Sequence, residues 1–306
     1  HYFDGGSFPI GGSSQIVKKV DPIIAASGGT ILISAEVDEV SIEKNTAAGV
    51  RMKDGKLFKA VNIVSTAGVM TTYTKLLPLK TIKKHRLAEQ LQKVSRSVAH
   101  ASLYIGLDGT PEELGIPKTN YWVYPKDGDH DTLIKNYLED ISLPFPLVYL
   151  SFPSAKDSDW SNRYPGKSAI DIITLLPYEP FDKWKNSNWM KRDESYTAMK
   201  EKIAQRLLNE LYKQLPHLEG KIEHYELSTP LTTKHFINYQ EGEIYGLDHT
   251  PKRFRQRFLK PKTPIKNFYL TGQDIVTAGV AAALFSGVIT TAAITRKNII
   301  KKVMQR

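Results

Sequence analysis

The stretch Tyr269–Ala293, YLTGQDIVTAGVAAALFSGVITTAA, constrains the fold of this chain more than any other feature, and it carries no charge after Asp274. It starts like an apolar strand, passes through Gly272 and Asp274, and continues in mostly small residues. Its length is enough to span a bilayer. However, a run with so much Ala, Gly, Thr and Ser and so little Leu inserts poorly into lipid. We therefore expect the strand and helix of an α/β domain, with a helix that begins near Gly279 and is buried on all sides.

A second apolar strand, within Ala60–Gly68 (AVNIVSTAG), also ends in small residues. In open α/β sheets, ligands bind at the carboxyl ends of the strands, and small residues let a ligand approach the backbone. Ser65–Gly68 and Gly272–Asp274 are therefore predicted to lie at a ligand-binding edge. There Asp274 could bond sugar or ribityl hydroxyls, or it could simply cap the next helix. The free N–H groups of that helix would favour developing negative charge, such as that of a reduced flavin.

The region before this strand predicts a helix and a small meander. Apolar residues at helical spacing follow Ser13 and Ser14, and these are Ile16, Val17, Val20, Ile23 and Ile24. Gly28 and Gly29 are expected to end the helix, and Pro22 to kink or split it. The apolar run Thr30–Ala35 predicts a buried strand. Further strands are expected from Val37 to Ile42 and over Gly49–Lys53, with a hairpin turn at Asp54-Gly55.

The middle of the chain, residues 80–264, differs in composition, being rich in Trp, Tyr, Phe and Pro. It contains a long helical pattern (SYTAMKEKIAQRLLNELYKQL) and strand patterns such as SVAHASLYIGL. This predicts an α+β domain with a mixed, largely antiparallel sheet, inserted into a first domain formed by residues 1–79 and 265–306. Aromatic residues of the middle domain could line an apolar tunnel or pack a core, and they are Tyr104, Tyr121, Trp122, Tyr149 and Phe152.

Composition narrows the function classes. The absence of cysteine excludes disulfides, thiolate metal sites and a cysteine nucleophile, and it suits a reducing compartment. The histidines lack chelating spacing, so no metal site is predicted. The net charge of +10 comes from scattered lysines without a nucleic-acid-binding motif, which favours a solvated basic surface and no nucleic-acid partner. With no signal peptide visible, we expect a cytoplasmic protein, whose basic tail Arg296–Arg306 could contact a membrane peripherally.

Taken together, the glycine-bounded segments from Gly11 to Gly68 and the stretch NFYLTGQDIVTAGVAAALFSGV resemble the FAD-binding elements of the phytoene desaturase-like branch of the amine-oxidase superfamily. The segment Ser228–Phe254 (STPLTTKHFINYQEGEIYGLDHTPKRF) is similar to the subgroup that contains retinol saturases, beside carotenoid desaturases and isomerases. The resemblance implies a Rossmann-like FAD-binding domain, formed by residues 1–79 and 265–306, that is interrupted by a substrate-binding domain.

The resemblance also implies roles for individual residues. Val37 would meet the adenine side of FAD through its backbone, and Ala67 and Gly68 would border the cofactor. Gly272 and Asp274 would contact the ribityl-pyrophosphate, and Gln273 between them is also expected to bind the cofactor. Gly279 and Val280 would present the helix N-terminus to the isoalloxazine. Tyr245 and Gly246 would lie near the flavin face or the substrate. NAD(P) is allowed as an electron donor, and the partner is an apolar small molecule.

The sequence departs from this family in one respect. It lacks the G-x-G-x-x-G motif that holds the pyrophosphate in the first βαβ unit. We expect that unit upstream of His1, so that the chain as given would hold an incomplete FAD site and could purify without the cofactor.

The implied function is hydride transfer between flavin and a carbon of an apolar polyene or isoprenoid, which saturates, desaturates or isomerises C–C double bonds. No catalytic side chain is singled out, because flavin chemistry needs few; His249 could carry a proton or be a solvated loop residue. Two alternatives are open: a flavin amine oxidase of the same superfamily, and a non-catalytic lipid-binding or membrane-peripheral module.

Overall fold

A computed structural model describes residues 5–305, which form two compact units. Unit 1 combines the segment that ends at Ile31 with Val98–Ile237, and unit 2 combines Leu32–Ser97 with the segment that starts at Asn238. The predicted start of the first domain, at His1, lies outside the described residues.

The α-helices and β-strands are numbered in chain order. They are α1 (Ser14–Ala26), β1 (Val37–Glu43), β2 (Thr46–Met52), β3 (Leu57–Lys59), β4 (Ile63–Ser65), α2 (Val69–Thr71), α3 (Leu79–Lys84), α4 (Leu87–Leu91), β5 (His100–Asp108), β6 (Tyr121–Val123), α5 (His130–Glu139), β7 (Val148–Ser151), α6 (Pro153–Lys156), α7 (Trp160–Arg163), β8 (Lys167–Leu175), α8 (Glu194–Gln214), β9 (Ile222–Ser228), α9 (Pro230–Ile237), α10 (Pro251–Phe254), β10 (Phe268–Leu270), α11 (Val280–Thr295) and α12 (Ile299–Met304). A π-helical turn, Thr72–Leu76, continues α2, and 3₁₀ turns cover Glu179–Trp184, Pro216–Leu218 and Gln273–Ile275.

Unit 1 is built on a five-stranded sheet in the order β6-β7-β8-β5-β9, in which all the neighbouring strands are antiparallel. Side chains alternate between the two faces of a strand, and the buried face of β8 carries Ile170 and Ile172. The long helix α8 shares their hydrophobic cluster through Ile203, Leu207 and Leu211, which recur every four residues on one helix face. The predicted α+β domain with its largely antiparallel sheet is therefore confirmed.

Unit 2 contains the α/β part of the chain. Strands β4 and β10 pair in parallel although about 200 residues separate them, because the larger segment of unit 1, Val98–Ile237, lies in sequence between the two halves of unit 2. A separate antiparallel sheet, β1-β2-β3, is the predicted meander, with its last turn at Gly55 (φ +85°). A second hydrophobic cluster joins the two halves of the unit through Val40, Tyr73, Leu247 and Phe268.

The two units divide the chain at other positions than the predicted domains do. The predicted boundary at residue 80 separates α3 and α4 from unit 2, yet Ile82 and Leu87 are buried in its cluster. Leu247 is buried in the same cluster, although it precedes the predicted boundary at residue 264. The segment before Ile31 lies in unit 1, where the Gly11 N–H donates to the Asp157 carboxylate at 2.9 Å. Composition shifts therefore mark these boundaries poorly, because burial decides them.

Local patterns predicted some elements correctly and others wrongly. The helix α1 is confirmed and continues through Pro22 without a split. The predicted buried strand at Thr30–Ala35 is wrong: the segment pairs with no strand among residues 5–305, and the Ile33 side chain is 87% exposed. An apolar run becomes a buried strand only where a neighbour pairs with it and covers it, and this dependence on a partner is not visible in the run itself.

The helix predicted near Gly279 is present, but the expectation that it is buried on all sides is wrong. Within α11, Ser286 and Thr290 are buried, whereas Val280, Leu284 and Phe285 are exposed. None of the helices that the structure describes is long and apolar enough to cross a membrane. Of the aromatic residues of the middle domain, Phe152 is buried in the core, whereas Tyr104 is 50% exposed and Trp122 is 58% exposed.

Candidate functional site

The candidate site of unit 2 begins where the parallel strands β4 and β10 end. The Thr271 N–H donates to the Ser65 carbonyl at 2.9 Å, which extends the pairing by one residue. After the strands, the backbone turns at Gly68 (φ +80°) and at Gly272 (φ +96°). These backbone conformations favour glycine because it has no Cβ. The predicted meeting of STAG and GQD at one strand edge is therefore what the structure contains.

Asp274 joins three backbone segments at this edge. Its buried carboxylate accepts the Val69 N–H at 2.7 Å through Oδ2 and the Leu247 N–H at 3.0 Å through Oδ1. Val69 is the first residue of α2, so Asp274 caps a helix that follows the other strand of the pair. The expected alternative, a cap on the helix after Asp274, is wrong, because the Asp274 carboxylate bonds Val69 and Leu247 and, within the described part of the chain, no side chain caps α11. Charge-assisted bonds from backbone N–H groups make this a strong connection.

Glycine at position 246 makes the contact with Asp274 possible. Gly246 has φ +66°, and a Cβ built there would lie 2.4 Å from Asp274 Oδ1. The Gly246 carbonyl accepts the Ser97 N–H at 2.8 Å, and the Ser97 hydroxyl accepts the Tyr245 N–H at 2.9 Å. The segment Tyr245–Gly246 is thus fixed by its backbone, while the Tyr245 side chain is exposed.

A buried arginine connects the same loops from the other side. The Arg253 guanidinium donates to the Leu247 carbonyl at 2.8 Å and to the Gln273 carbonyl at 2.7 Å, and only 2% of the residue is exposed. Burial lowers the pKa of Arg253, and the neighbouring Asp274 and Asp248 oppose that shift. A buried guanidinium that donates to two carbonyls cannot be replaced by a smaller residue without leaving these acceptors unpaired.

His249 links this network to the start of α11. Its Nε2 accepts the Ala278 N–H at 2.8 Å. Burial, and then the charge of Arg253, lower the pKa of His249 below its usual 6.5, which keeps the ring neutral and able to accept. The His249 ring therefore accepts a hydrogen bond from the backbone. It is not the solvated loop histidine that was one of the two predicted alternatives.

The first turn of α11 presents unpaired donors beside this network. Its N-cap, Gly279, has φ +102°. Among residues 5–305, no side chain caps the turn and no heavy atom lies within 4 Å of a Cβ built at Gly279. The first N–H groups of a helix lack partners within the helix and carry partial positive charge. Further along the helix, the buried Ser286 hydroxyl accepts the Gly272 N–H at 2.7 Å and thereby anchors α11 to the strand edge.

An additional tyrosine and a buried acidic residue support the loop before Gly246. Tyr239 accepts from the Gln273 amide at 2.7 Å, and burial raises the pKa of its hydroxyl. Burial likewise raises the pKa of Glu243, whose carboxylate accepts the Glu241 N–H at 2.9 Å and lies 3.9 Å from the Arg96 guanidinium. No group of three or more His, Asp or Glu side chains suited to a metal ion occurs within residues 5–305.

The structure brings most of the predicted site residues together, but not all. Around the strand edge lie Ala67, Gly68, Tyr245, Gly246, Gly272, Gln273 and Asp274. Gly279 and Val280 begin α11 and are joined to this group through the contact between Ala278 and His249. Val37 lies elsewhere, at the start of β1 in the three-stranded sheet, where it pairs with Met52. The cofactor role of each of these residues remains a prediction.

Sequence reasoning missed three residues that organise the site, Arg253, Tyr239 and Ser286. One signal was available for Arg253. Thr250 and Pro251 form a helix start, and the Thr250 side chain accepts the Arg253 N–H, which places Arg253 one helical turn after His249. Tyr239 and Ser286 carried no such signal, because their partners Gln273 and Gly272 are distant in sequence.

The chain is similar in sequence to known enzymes. No family model matches the chain. The all-trans-retinol 13,14-reductase of Homo sapiens is 36% identical over 312 residues, which are 98% of this chain and 51% of that protein. The prolycopene isomerase of Arabidopsis thaliana chloroplasts is 27% identical over 293 residues, 94% of this chain and 45% of that protein. The chain is a homologue of both enzymes.

This homology confirms the predicted resemblance to the retinol saturase and carotenoid isomerase group. The chain spans about half the length of the curated relatives that it matches. A Danio rerio protein named as an inactive all-trans-retinol 13,14-reductase is also 33% identical, over 94% of this chain and 49% of that protein. Identity over this region therefore does not by itself establish activity.

Solved structures agree on the fold. A putrescine oxidase double mutant with a redesigned cofactor site superposes with a TM-score of 0.59 at 16% identity, over 94% of this chain and 54% of that one. An oxidoreductase from Methanosarcina mazei gives a TM-score of 0.52 at 16% identity, over 94% of this chain and 55% of that one. The chain thus shares the fold of these two proteins, which agrees with the predicted fold class.

Proposed function

We propose that this chain forms part of an FAD-dependent oxidoreductase that acts on C–C double bonds of an apolar polyene. The observation that carries the proposal is homology along nearly the whole chain to enzymes named for a retinoid and for a carotenoid. Both names describe molecules with a long chain of conjugated C–C double bonds, and the identity is higher to the retinol reductases. Among saturation, desaturation and isomerisation, we therefore propose saturation of a retinoid-like double bond.

The candidate site offers features that suit FAD. Gly68, Gly272 and Gly279 have positive φ angles, which favour glycine, and as glycines they place no side chain at the strand edge. The space around Gly279 is open. We propose that Ala67, Gly68, Gly272 and Gly279 border the cofactor through backbone atoms. When bound, FAD supplies the hydride chemistry of this class of enzyme.

The protein's own groups would position FAD and stabilise the charge that develops on it. The unpaired N–H groups of the first turn of α11, including that of Val280, would stabilise negative charge on a reduced flavin. Because both oxygens of Asp274 already accept backbone N–H groups, we propose that it binds ribityl hydroxyls only through its remaining lone pairs. Its main effect would be to hold three loops at the cofactor edge.

The test is flavin binding by the longest natural form of the protein. We expect it to purify with oxidised flavin, or to acquire the flavin spectrum when FAD is added. The reduced protein should then be reoxidised by all-trans-retinol, with a saturated product identified by mass spectrometry. A protein that neither retains nor binds flavin would refute the enzyme proposal, and bleaching of its flavin by an amine would favour an amine oxidase instead.

A pair of glycine variants tests the assignment of the site. Gly279 and Gly55 both have positive φ and open space around a Cβ. Gly279→Val should weaken FAD binding by at least about tenfold, because the added side chain would occupy the proposed flavin position and binding energy of about 1.4 kcal/mol would be lost. Gly55→Val, which carries the same type of backbone strain in the meander, should leave the FAD dissociation constant unchanged. Equal effects would contradict the proposed location.

A further inference from the structure

Unit 1 contains a cavity of about 760 Å³ whose lining residues all belong to this unit. It is bounded by β5, β9, α8, α9 and the segment just before α8. Small-molecule sites typically enclose about 300–1,000 Å³, so the cavity has the size of a ligand site.

One part of the cavity is aromatic and apolar. The Trp189 ring stacks on the His235 ring, with 4.9 Å between the centroids, and meets the Phe236 ring edge-on at 5.0 Å. Leu227 and Ile237 complete this part of the wall. Phe236 is 67% exposed, which is a high value for a side chain held in an aromatic cluster. A hydrocarbon chain placed here would cover apolar surface that now faces water.

A cation lies beside this apolar wall. The Arg192 guanidinium packs over the Tyr196 ring at 4.7 Å and lies 5.7 Å from the Trp189 ring. Its hydrogen bonds go to neutral groups, the Ser187 hydroxyl at 3.2 Å and the Tyr196 hydroxyl at 3.3 Å. Within the part of the chain that the structure describes, no carboxylate lies within 4.0 Å of this guanidinium.

The acidic groups near Arg192 are engaged elsewhere. Glu226 forms an ion pair with Lys200. Glu201 accepts from the Tyr225 hydroxyl and from the Gln205 amide, both at 2.7 Å, and these bonds lower the pKa of its carboxyl. The Asp193 carboxylate caps α8 by accepting the Tyr196 N–H at 3.1 Å. The positive charge of Arg192 is therefore left for a ligand.

We propose that this cavity binds a long-chain apolar carboxylate, with its head group on Arg192 and its tail along Trp189, Leu227 and Phe236. A guanidinium presents parallel N–H groups that match a carboxylate in two-point contact. One negative charge is the best match, because the second cation of the cavity, Lys200, is already paired with Glu226. A phosphate dianion would lack a second free cation. The site is independent of flavin and is additional to the proposed reaction.

The test compares oleate with oleyl alcohol, which share a tail and differ in the head group. Binding to the protein is measured by isothermal titration calorimetry at ligand concentrations below micelle formation. We expect wild-type protein to bind oleate at least about tenfold more tightly than oleyl alcohol, because a carboxylate forms stronger, charge-assisted hydrogen bonds with a guanidinium than a hydroxyl does. Added salt should weaken oleate binding and leave alcohol binding unchanged.

Variants locate the head and the tail. Arg192→Gln should abolish the preference for oleate while keeping the affinity for oleyl alcohol. Lys213→Gln removes a charge from α8 at an exposed position paired with Glu210, and it should preserve the preference. Phe236→Ala should weaken both ligands, whereas Tyr124→Ala, which truncates an exposed aromatic residue of unit 1 outside the cavity, should weaken neither.

The proposal fails if wild-type protein binds oleate and oleyl alcohol equally, if it binds neither, or if Arg192→Gln retains the preference. Should Arg192→Gln not fold, the head-group preference and salt dependence of the wild-type protein decide the matter alone. Flavin content is measured in parallel. Loss of flavin with intact oleate binding would count against the proposed oxidoreductase and not against this site.

Discussion

At the scale of single residues, the contact between Gly246 and Asp274 is the tightest constraint in the candidate site. Asp274 can bridge the Val69 and Leu247 N–H groups only because the backbone of Gly246 passes close to its carboxylate. The carboxylate thereby fixes the distance between two loops that belong to the two sequence segments of unit 2. Packing against Asp274 therefore requires glycine at position 246, and the positive φ angle of that position favours glycine as well.

Gly246→Ala should destabilise the protein more than Gly55→Ala. Both glycines have positive φ, so alanine costs about 1–2 kcal/mol of backbone strain at either position. Only at position 246 would the new Cβ collide with a neighbour, 2.4 Å from Asp274 Oδ1, whereas nothing lies within 4 Å at position 55. Overpacking of this kind adds about 1–3 kcal/mol. Urea unfolding monitored by circular dichroism measures both variants, and equal losses would show that Asp274 moves aside freely.

His249 should make stability depend on pH. Its folded-state pKa lies below 6.5, because burial and Arg253 disfavour the charged ring. Its contribution is then fully present above pH 6.5 and is lost as the pH falls through the folded-state pKa, since the unfolded chain binds the proton first. His249→Gln should flatten the fall in the free energy of unfolding between pH 7 and 5, because Gln can still accept the Ala278 N–H.

The control for this variant is His224→Gln, which removes an exposed histidine of β9. A residual slope is expected in both variants, because burial also lowers the pKa of His85. If His249→Gln and His224→Gln lose stability on acidification to the same extent as wild-type protein, the neutral, accepting ring of His249 is not what holds Ala278 in place.

At the scale of elements, α11 is attached to the strand edge by polar rather than apolar contacts. The Ser286 hydroxyl accepts from Gly272, and the Thr290 hydroxyl donates to the Leu270 carbonyl at 3.1 Å. Ser286→Ala should cost about 1–3 kcal/mol, the usual penalty for leaving a buried donor unpaired. Thr295→Ala, at the exposed end of the same helix, should change stability by less than about 0.5 kcal/mol.

Hydrogen exchange distinguishes this prediction from a general loss of stability. In Ser286→Ala the Gly272 amide should exchange faster by a larger factor than the amides of β5, which lie in the other unit. Uniform acceleration across both units would mean that the serine stabilises the fold without anchoring the strand edge.

The sequence predicted those elements that depend mainly on their own residues and on the residues next to them. The parallel pair β4 and β10 ends in STAG and GQD, and the apolar runs with small residues after them were sufficient to predict one edge. The failure at Thr30–Ala35 arose because a strand also needs a partner, which its own residues do not specify. Asp274 illustrates the same limit within the site: its partners lie 205 and 27 residues away, so only the folded chain shows that it caps α2.

At the scale of the whole molecule, the distribution of charge bears on the predicted peripheral membrane contact. The net charge is +10, and most of the lysines are scattered. The last helix, α12, is different, because exposed Lys301 and Lys302 alternate with exposed Ile300, Val303 and Met304. Apolar and basic side chains on one short helix suit an anionic lipid surface.

Replacing Lys297, Lys301 and Lys302 by Gln should weaken binding to vesicles that contain anionic lipid. Each basic residue near such a surface contributes about 1 kcal/mol, so the loss should be on the order of a hundredfold in partition coefficient. The matched control replaces Lys53, Lys56 and Lys59, which are exposed around the β2–β3 hairpin and give the same net charge. Vesicle co-sedimentation at low and physiological salt separates the two. If both triple variants lose binding equally, net charge is responsible and the tail helix is not a membrane contact. If only the tail variant loses binding, the tail helix is the part of the protein that contacts the lipid surface.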